Sequence, residues 1–415
     1  MSASQNKPHI VIIGAGFAGI YTYKHLLEEL GDKARITIIN KTNYFLFTPM
    51  LHEVATGGLA HHQVVEALRE IVKDDTTRLI VGAADKVDLE NKKVIVGDKE
   101  IAYDYLVIAT GATTNFFGTP GAQEHTFILK DLRDAIKLRN YVIDIFEKAS
   151  MMSDREERRK MLSFVVVGGG ATGVEMVTEM ADFFFITFKR LYKGVIQKED
   201  ISLTLVTQGA ELLTPLHESL QRNALRIIRD KGIKVMLNTK VKEVTKEGVL
   251  TESGDMLTSP HVVWTAGVKA QYPELVGNFA KDPSGRIPVT TYLQMHNYKN
   301  VFVLGDSALL LQDGKPIPML AQVAVEQAPY VAHNIAQSIR GKALETFRYE
   351  SKGELVSLGR GNAVARIFGI TFSGVVAWFI WRTIYLFKFL SGSKRIKIAV
   401  DWTVDLFYPR DITKA

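Results

Sequence analysis

Two matched sets of glycines are the residues of this chain whose type and spacing most directly dictate chemistry. Gly14-Ala15-Gly16-Phe17-Ala18-Gly19 follows the apolar run Ile10-Val11-Ile12-Ile13, and Gly168-Gly169-Gly170-Ala171-Thr172-Gly173 follows Phe164-Val165-Val166-Val167. Each reads as a strand, a sharp glycine turn and a helix. The glycines let the backbone turn tightly and approach a pyrophosphate, whose charge is stabilised at the helix N-terminus. A single such turn is a weak signal, but two in the required context point to one chain holding two dinucleotides. Electron transfer between them is the economical reason to do so.

Carboxylates accompany the second turn. Glu175 lies two residues beyond it, and Glu179 lies one helical turn further on the same face. A carboxylate at a helix start beside a nicotinamide–flavin contact can relay protons; it equally stabilises the positive end of the helix dipole. His52, in the segment Leu51 to Gly57, is assigned to structural packing near the flavin.

The elements that must position these groups follow from hydrophobic patterning. After the first turn comes a helix to about Leu30, then the strand Arg35 to Ile39, ending at Asn40-Lys41. An acid at this place would read ribose hydroxyls; Asn40 could do so through its amide, or could simply end the strand. The segment Tyr105 to Ala112 reads as a buried strand ending in the turn Thr110-Gly111, and Val262 to Val268, with Ala266-Gly267, is a near copy. These two places are where the chain is expected to cross between folds. Asn300 to Leu304 is a third strand, ending in Gly305-Asp306 and followed by a helix from about Leu320 to Ser338. A charged, solvated helix is expected over Asp131 to Lys160. The second nucleotide unit ends its strand Ile201 to Val206 at Thr207, which carries no charge to repel a 2′-phosphate. Nicotinamide binding that accepts both NADH and NADPH is the expectation.

The chain has 415 residues, room for two or three domains, and a net charge of +6. No aromatic-interleaved basic stripe accompanies that charge, so nucleic acid is not an expected partner. Cysteine is absent, which excludes disulfides, thiolate metal sites and thiol catalysis. No metal site is expected, and electrons reaching a flavin must leave by an acceptor other than a cysteine pair. The first strand begins too early for a signal peptide, and no apolar window reaches the length of a membrane span. The expectation is a protein facing the cytoplasm.

With these residues assembled, the chain resembles the type II (non-proton-pumping) NADH:quinone oxidoreductases over almost its whole length. The resemblance rests on both glycine turns, Leu51-His52-Glu53-Val54-Ala55-Thr56-Gly57, Val263 to Val268, Gly305-Asp306, and Ala321-Gln322-Val323-Ala324-Val325-Glu326-Gln327. It implies an α/β fold with two Rossmann-like dinucleotide-binding domains, for FAD and NAD(P)H, and a C-terminal amphipathic membrane-anchoring region. The expected domains are 1–118 with 285–338 for FAD, 119–284 for NAD(P)H, and 339–415 for membrane association. The resemblance implies non-covalent FAD on the first turn, with Gly14, Gly16, Gly19, Asn40, Lys41, Thr110, Gly111, Gly305 and Asp306 around it. Asp306 would contact the ribityl chain. NADH would lie on Gly168, Gly170, Gly173, Thr207, Ala266 and Gly267. Glu175 would join a proton path, and Gln322, Glu326 and Gln327 would meet a quinone, ubiquinone or menaquinone. Two departures stand out: members usually carry an acid in place of Thr207, and many have Gln in place of Glu326.

The C-terminal quarter fits that reading. Ile367 to Trp381 is apolar, and Arg382, Lys388, Lys394, Arg395 and Lys397 follow among apolar residues. A short apolar run broken by cations suits a helix lying on an anionic lipid surface. Trp378, Trp381, Arg382, Tyr385 and Lys388 are the expected interface contacts, against the alternative of a buried core or homodimer helix. Two rival functions remain: a flavoprotein reducing ferredoxin or another soluble acceptor, and a nucleotide sensor like the apoptosis-inducing-factor group. Sulfide:quinone reductase chemistry is excluded by the missing cysteines.

Overall fold

The computed structural model describes residues 7–414. Its contacts divide the chain into two compact units, each assembled from separated segments.

The first unit takes the chain through Leu46, then Val65–Thr113 and Val268–Glu350. Its main sheet has six strands in the order Gln294–Met295, Tyr298–Val303, Tyr105–Ile108, His9–Ile13, Arg35–Asn40 and Thr77–Val81. Neighbours run parallel except at the Gln294–Met295 edge. The central strand has Ile10, Val11, Ile12 and Ile13 all buried, as a parallel strand covered on both faces requires. The helix Phe17–Leu30 packs along the helix Ala321–Ile339.

The second unit takes Phe47–Val64, Thr114–Gly267 and the chain from Ser351 onward. Its five-stranded parallel sheet runs Thr126–Ile128, His261–Trp264, Ser163–Val167, Ser202–Val206 and Lys234–Met236. The arrangement repeats that of the first unit: the strand feeding the glycine turn lies between two parallel neighbours. Glu354–Ser357, Ala363–Ile367 and Ile370–Ser373 form an antiparallel sheet. Helices Val375–Lys388 and Gly392–Val404 follow it.

Several expectations need correction. The C-terminal stretch is not a region apart; it shares the second unit with Phe47–Val64. The apolar run from Ile367 is not one helix, because it passes through a hairpin at Phe368-Gly369, where both residues take positive φ. The Asp131–Lys160 helix is two helices, Leu132–Ser150 and Arg155–Met161. The first is amphipathic rather than solvated, burying Leu138, Val142, Ile145 and Phe146. The second has no buried residue, as its charge run implies.

The expected lipid contacts are revised most. Trp378 and Trp381 are buried, 4% and 0% exposed. The Arg382 guanidinium stacks on Trp378 at 3.8 Å and Trp402 at 4.8 Å, and donates to the Trp402 carbonyl at 3.1 Å. These three residues line the interior, because the helix Gly392–Val404 covers the face that carries them. Tyr385 is half-buried, stacked near Trp381, and Lys388 is exposed. Among the described residues no helix is long and apolar enough to cross a membrane.

Candidate functional site

The two glycine turns are built alike, each within its own unit. Gly14 N–H bonds the Ile39 carbonyl, and Gly168 N–H bonds the Val206 carbonyl, both at 2.8 Å. Gly14 and Gly168 take φ of +100° and +124°, which side chains other than glycine rarely adopt. A Cβ on Gly14 would run into the Ala109 carbonyl, and one on Gly168 into Thr265 and Ala266. In both turns the last glycine, Gly19 or Gly173, lies against the carbonyl of the first. Gly16 and Gly170 cap the helices Phe17–Leu30 and Ala171–Asp182 without a side-chain bond, and nothing lies within 4 Å of where their Cβ would project. That open space over uncapped N–H groups fits a pyrophosphate.

Around the first turn, Asn40 Oδ1 accepts from Ala15 N–H at 2.9 Å while its Nδ2 donates to Thr42. The amide thus clamps the turn; Lys41 beside it is exposed. Thr110 Oγ1 bonds the Gln271 carbonyl and lies 3.2 Å from Ser307 Oγ, whose own bond goes to the Gly111 carbonyl. These contacts tie the Thr110-Gly111 turn to the Gly305–Ser307 turn that carries Asp306. Gln327 is fully buried, and its Oε1 accepts from Gly305 N–H at 2.7 Å. Its Nε2 has no hydrogen-bond partner among the described residues. Gln322 Nε2 donates to Glu326 Oε1 at 3.0 Å, one turn apart on the same helix. The first unit therefore gathers Asp306, Gln327 and the first glycine turn, with Gln322 and Glu326 at the start of the helix Ala321–Ile339.

Around the second turn, Thr207 is buried, and any side chain on Gly169 would press against its Oγ1. Gly267 takes φ of +76° with the Phe117 ring packed over it.

Beyond that turn the second unit holds a buried charged cluster. The helix Ala171–Asp182 presents Glu175, Glu179 and Asp182 on one face. Glu175 Oε1 accepts from Ser357 N–H at 3.3 Å, and its Oε2 lies 3.9 Å from His52 Nδ1. Arg410 Nη2 bonds Glu179 Oε2 at 2.6 Å, and its Nη1 reaches Thr56. Asp182 pairs with Lys231 and accepts from Arg360 N–H at 2.6 Å. On the short helix Leu51–Ala55, Glu53 Oε2 accepts from Trp402 Nε1 at 2.7 Å.

Burial dominates the electrostatics here. It pushes the Glu175 carboxyl up to about 8, helped by the negative charges of Glu179 and Glu53. It pushes Glu53 up to about 7, against the pull of Arg382. It brings His52 down to about 4, so the ring is neutral at pH 7. Glu179 is the exception: burial would raise it, but the charge and hydrogen bond of Arg410 hold it below its ordinary value. Reciprocally, burial would lower Arg410, and Glu179, Asp182 and Glu53 instead hold it above its usual range. At neutral pH, then, a protonated carboxyl (Glu175) stands one helical turn from an anionic one (Glu179). Such divergent neighbours mark acid–base sites.

The sequence reading found Glu175 but missed His52, Glu53, Asp182 and Arg410 as members of its charged cluster. One signal was present: Glu175, Glu179 and Asp182 repeat at i, i+4 and i+7, placing three acids on one face of a largely apolar helix. Acids enclosed on such a face need a cation, a hydrogen bond or a retained proton.

Comparisons with known proteins agree with this geometry. Residues 8–328 match the pyridine nucleotide-disulphide oxidoreductase family, and 351–411 match the NDH2 C-terminal domain. A probable NADH dehydrogenase of Dictyostelium discoideum is 34% identical, over 97% of this chain and 90% of its own. The type II NADH:quinone oxidoreductase Ndh of Mycobacterium tuberculosis is 31% identical, over 97% of this chain and 88% of its own. The fold matches that of NDH2 from Plasmodium falciparum in complex with NADH, with a TM-score of 0.88 over 99% of this chain and 100% of that one, at 22% identity. Two glycine turns without any cysteine, a C-terminal segment of the NDH2 type and full-length kinship lead to one assignment: this chain belongs to the type II NADH:quinone oxidoreductases.

Proposed function

We propose that the protein oxidises NADH and reduces a membrane quinone, with FAD carrying two electrons between them and no proton pumped. Family membership supports this activity over reduction of ferredoxin or nucleotide sensing. Bound FAD supplies the two-electron exchange; the chain's own residues bind, align and manage protons.

In this reading Gly14, Gly16 and Gly19 admit the FAD pyrophosphate, Asn40 keeps their turn in shape, and Asp306 faces the ribityl chain. Thr110, Gly111 and Gly305 hold the backbone around it. Gly168, Gly170 and Gly173 admit the pyrophosphate of NADH, with Thr207, Ala266 and Gly267 at the strand ends beside it. Thr207 carries no charge, so NADPH is not repelled. Glu175, protonated at neutral pH, holds the proton for the quinone; Gln322, Glu326 and Gln327 orient the quinone ring. The placement of Glu175 two residues beyond the second glycine turn, with Ser357 N–H and the His52 ring against its carboxyl, is the observation that supports the proton assignment.

Exposed apolar residues support the membrane side of this reading. The helix Val375–Lys388 shows Val375, Val376, Phe379 and Phe387 to solvent, and the helix Gly392–Val404 shows Ile396, Val400 and Val404. With Lys388, Lys394, Arg395 and Lys397 nearby in sequence, these suit an anionic lipid surface on the cytoplasmic face. A homodimer contact on the same residues is the competing use of the patch.

An anaerobic two-step titration tests the activity. NADH added to the detergent-purified holoenzyme bleaches the flavin absorbance, and ubiquinone or menaquinone then restores it. Bleaching with no recovery by any quinone overturns the quinone assignment. Flotation with vesicles containing anionic lipid tests the membrane side; a protein that stays with the soluble fraction and sediments as a dimer assigns the patch to self-association.

A further inference from the structure

Neither packing nor backbone preference accounts for Phe117, in the second unit. Its side chain is 65% exposed, and its backbone takes φ of +52°. Gly118 follows at +70°, and Thr119 N–H closes the turn on the Phe116 carbonyl at 2.9 Å. Two central residues at positive φ are the pattern of a type I′ turn, whose first central place ordinarily takes Asn, Asp or Gly. A bulky side chain there is strained, and such strain persists only where the surroundings hold it.

Here they do. Asn115 Oδ1 accepts from Phe117 N–H at 2.9 Å, and Asn115 N–H donates to the Gly267 carbonyl at 3.2 Å. Trp264 Nε1 donates to both the Asn115 and the Ala266 carbonyls at 3.0 Å. The Phe117 ring lies where a Cβ on Gly267 would project, so the glycine there makes room for the ring. Residues 265–267 in turn abut the second glycine turn. Thr265 N–H and Oγ1 both donate to the Val167 carbonyl at 2.8 Å, and a Cβ on Gly168 would meet Thr265 and Ala266.

The order of the strands fixes which half of a dinucleotide comes near this ring. In a fold of this class the pyrophosphate lies on the turn after the central strand, and the adenine ribose lies at the end of the next one. Those are the strands Ser163–Val167 and Ser202–Val206, the second ending at Thr207. The strand His261–Trp264, which leads to Gly267, lies on the opposite side of Ser163–Val167. The nicotinamide half therefore leaves the pyrophosphate towards Gly267.

We propose that Phe117 is a substrate-contact residue whose exposed ring packs against the nicotinamide half of NADH. The proposal rests on the NADH:quinone reading above and adds a recognition element to its NADH site. A flat apolar ring offers stacking and apolar contact. Fixing that ring in a braced turn before the coenzyme arrives lowers the entropy lost on binding.

Phe117→Asn in the holoenzyme tests this, with Phe117→Gly as a second variant and Phe117→Tyr as the conservative control. Asn and Gly both suit positive φ, so the denaturation midpoint at fixed FAD should equal or exceed that of the wild type. Anaerobic flavin bleaching is followed against the concentration of NADH, and of reduced nicotinamide mononucleotide, which lacks the adenosine half. In Phe117→Asn and Phe117→Gly the half-saturating concentration should rise at least about fivefold, by the same factor for both donors. Phe117→Tyr should stay within about twofold of the wild type. Equilibrium binding of NAD⁺ to the oxidised holoenzyme should weaken in the same order, while flavin content and reoxidation by quinone stay unchanged. Unchanged half-saturation in Phe117→Asn and Phe117→Gly overturns the inference. A rise for NADH alone overturns it too, by putting the ring against the adenosine half. A rise accompanied by a lower denaturation midpoint, and shared by Phe117→Tyr, overturns it in favour of a packing role. A wild-type flavin that NADH does not bleach would overturn the activity itself, and this inference with it.

Discussion

Replacing Glu175 with Gln should stabilise the protein in alkaline solution and leave it nearly unchanged in acid. The substitution keeps the size of the side chain and the Oε1 that accepts from Ser357 N–H, and removes only the capacity to ionise. The carboxyl ionises near its ordinary value of 4.5 in the unfolded chain and at about 8 in the fold. Between those limits the folded state holds a proton that the unfolded state has released, so wild-type stability falls as pH rises through the window. A difference of about 3.5 units at about 1.4 kcal/mol each sets a ceiling of about 5 kcal/mol. The effective dielectric of even buried sites brings the expectation to about 2–3 kcal/mol. The assay is urea denaturation at saturating FAD, wild type against Glu175→Gln, at several pH values from about 5 to 9. The difference should be within about 1 kcal/mol at the acid end, grow in favour of the variant, and level off above pH 8. A difference that is constant with pH, or that favours the wild type in alkali, would refute the reasoning that burial keeps this carboxyl protonated.

Other outcomes follow from the same contacts. Arg410→Met leaves Glu179 buried without its cation and should cost about 3–5 kcal/mol in denaturation, with Glu179→Gln in the same chain recovering part of it. His52, brought down to about 4 by burial, binds a proton more readily unfolded than folded. Its contribution to stability should be full above about pH 6.5 and lost as pH falls to 4, a loss that His52→Gln abolishes in the same titration. Gly14→Ala and Gly168→Ala should separate the two nucleotides: the first drives a Cβ at the Ala109 carbonyl and should give protein purified without flavin. The second should keep its flavin absorbance and raise the KM for NADH at least about tenfold. Phe379→Ser with Phe387→Ser should reduce vesicle flotation without lowering the denaturation midpoint, because both rings are exposed.

The elements set by local rules were legible in the residues. A continuous apolar run, three glycines at fixed spacing and a periodic helix specify the turn at Gly14 and again at Gly168, because each requirement, positive φ or absence of Cβ, is met within a few residues. The lack of cysteine limited the chemistry equally plainly. The periodicity also found the helix at Ala321–Ile339 and the strands feeding Gly111, Gly267 and Asp306, with shifts of one or two residues at their ends. The charge run at Asp154 to Lys160 was legible for the same reason, since a short helix with no apolar stripe has no face to bury.

What the tertiary structure decided was which polar and aromatic groups are enclosed. Trp378, Trp381 and Arg382 have the composition of a lipid interface, yet the helix Gly392–Val404 covers them. The apolar side of a helix records that it must be covered and not whether protein or lipid does so. The buried charged cluster is drawn from Leu51–Ala55, Ala171–Asp182 and the chain beyond Val375, segments far apart in sequence. No local spacing relates His52 to Glu175 or Arg410 to Glu179. The sequence by itself determined two nucleotide turns and a carboxylate beside the second. Only the fold, by removing water from around that carboxylate and setting a cation against its neighbour, decided that Glu175 keeps its proton at neutral pH while Glu179 does not.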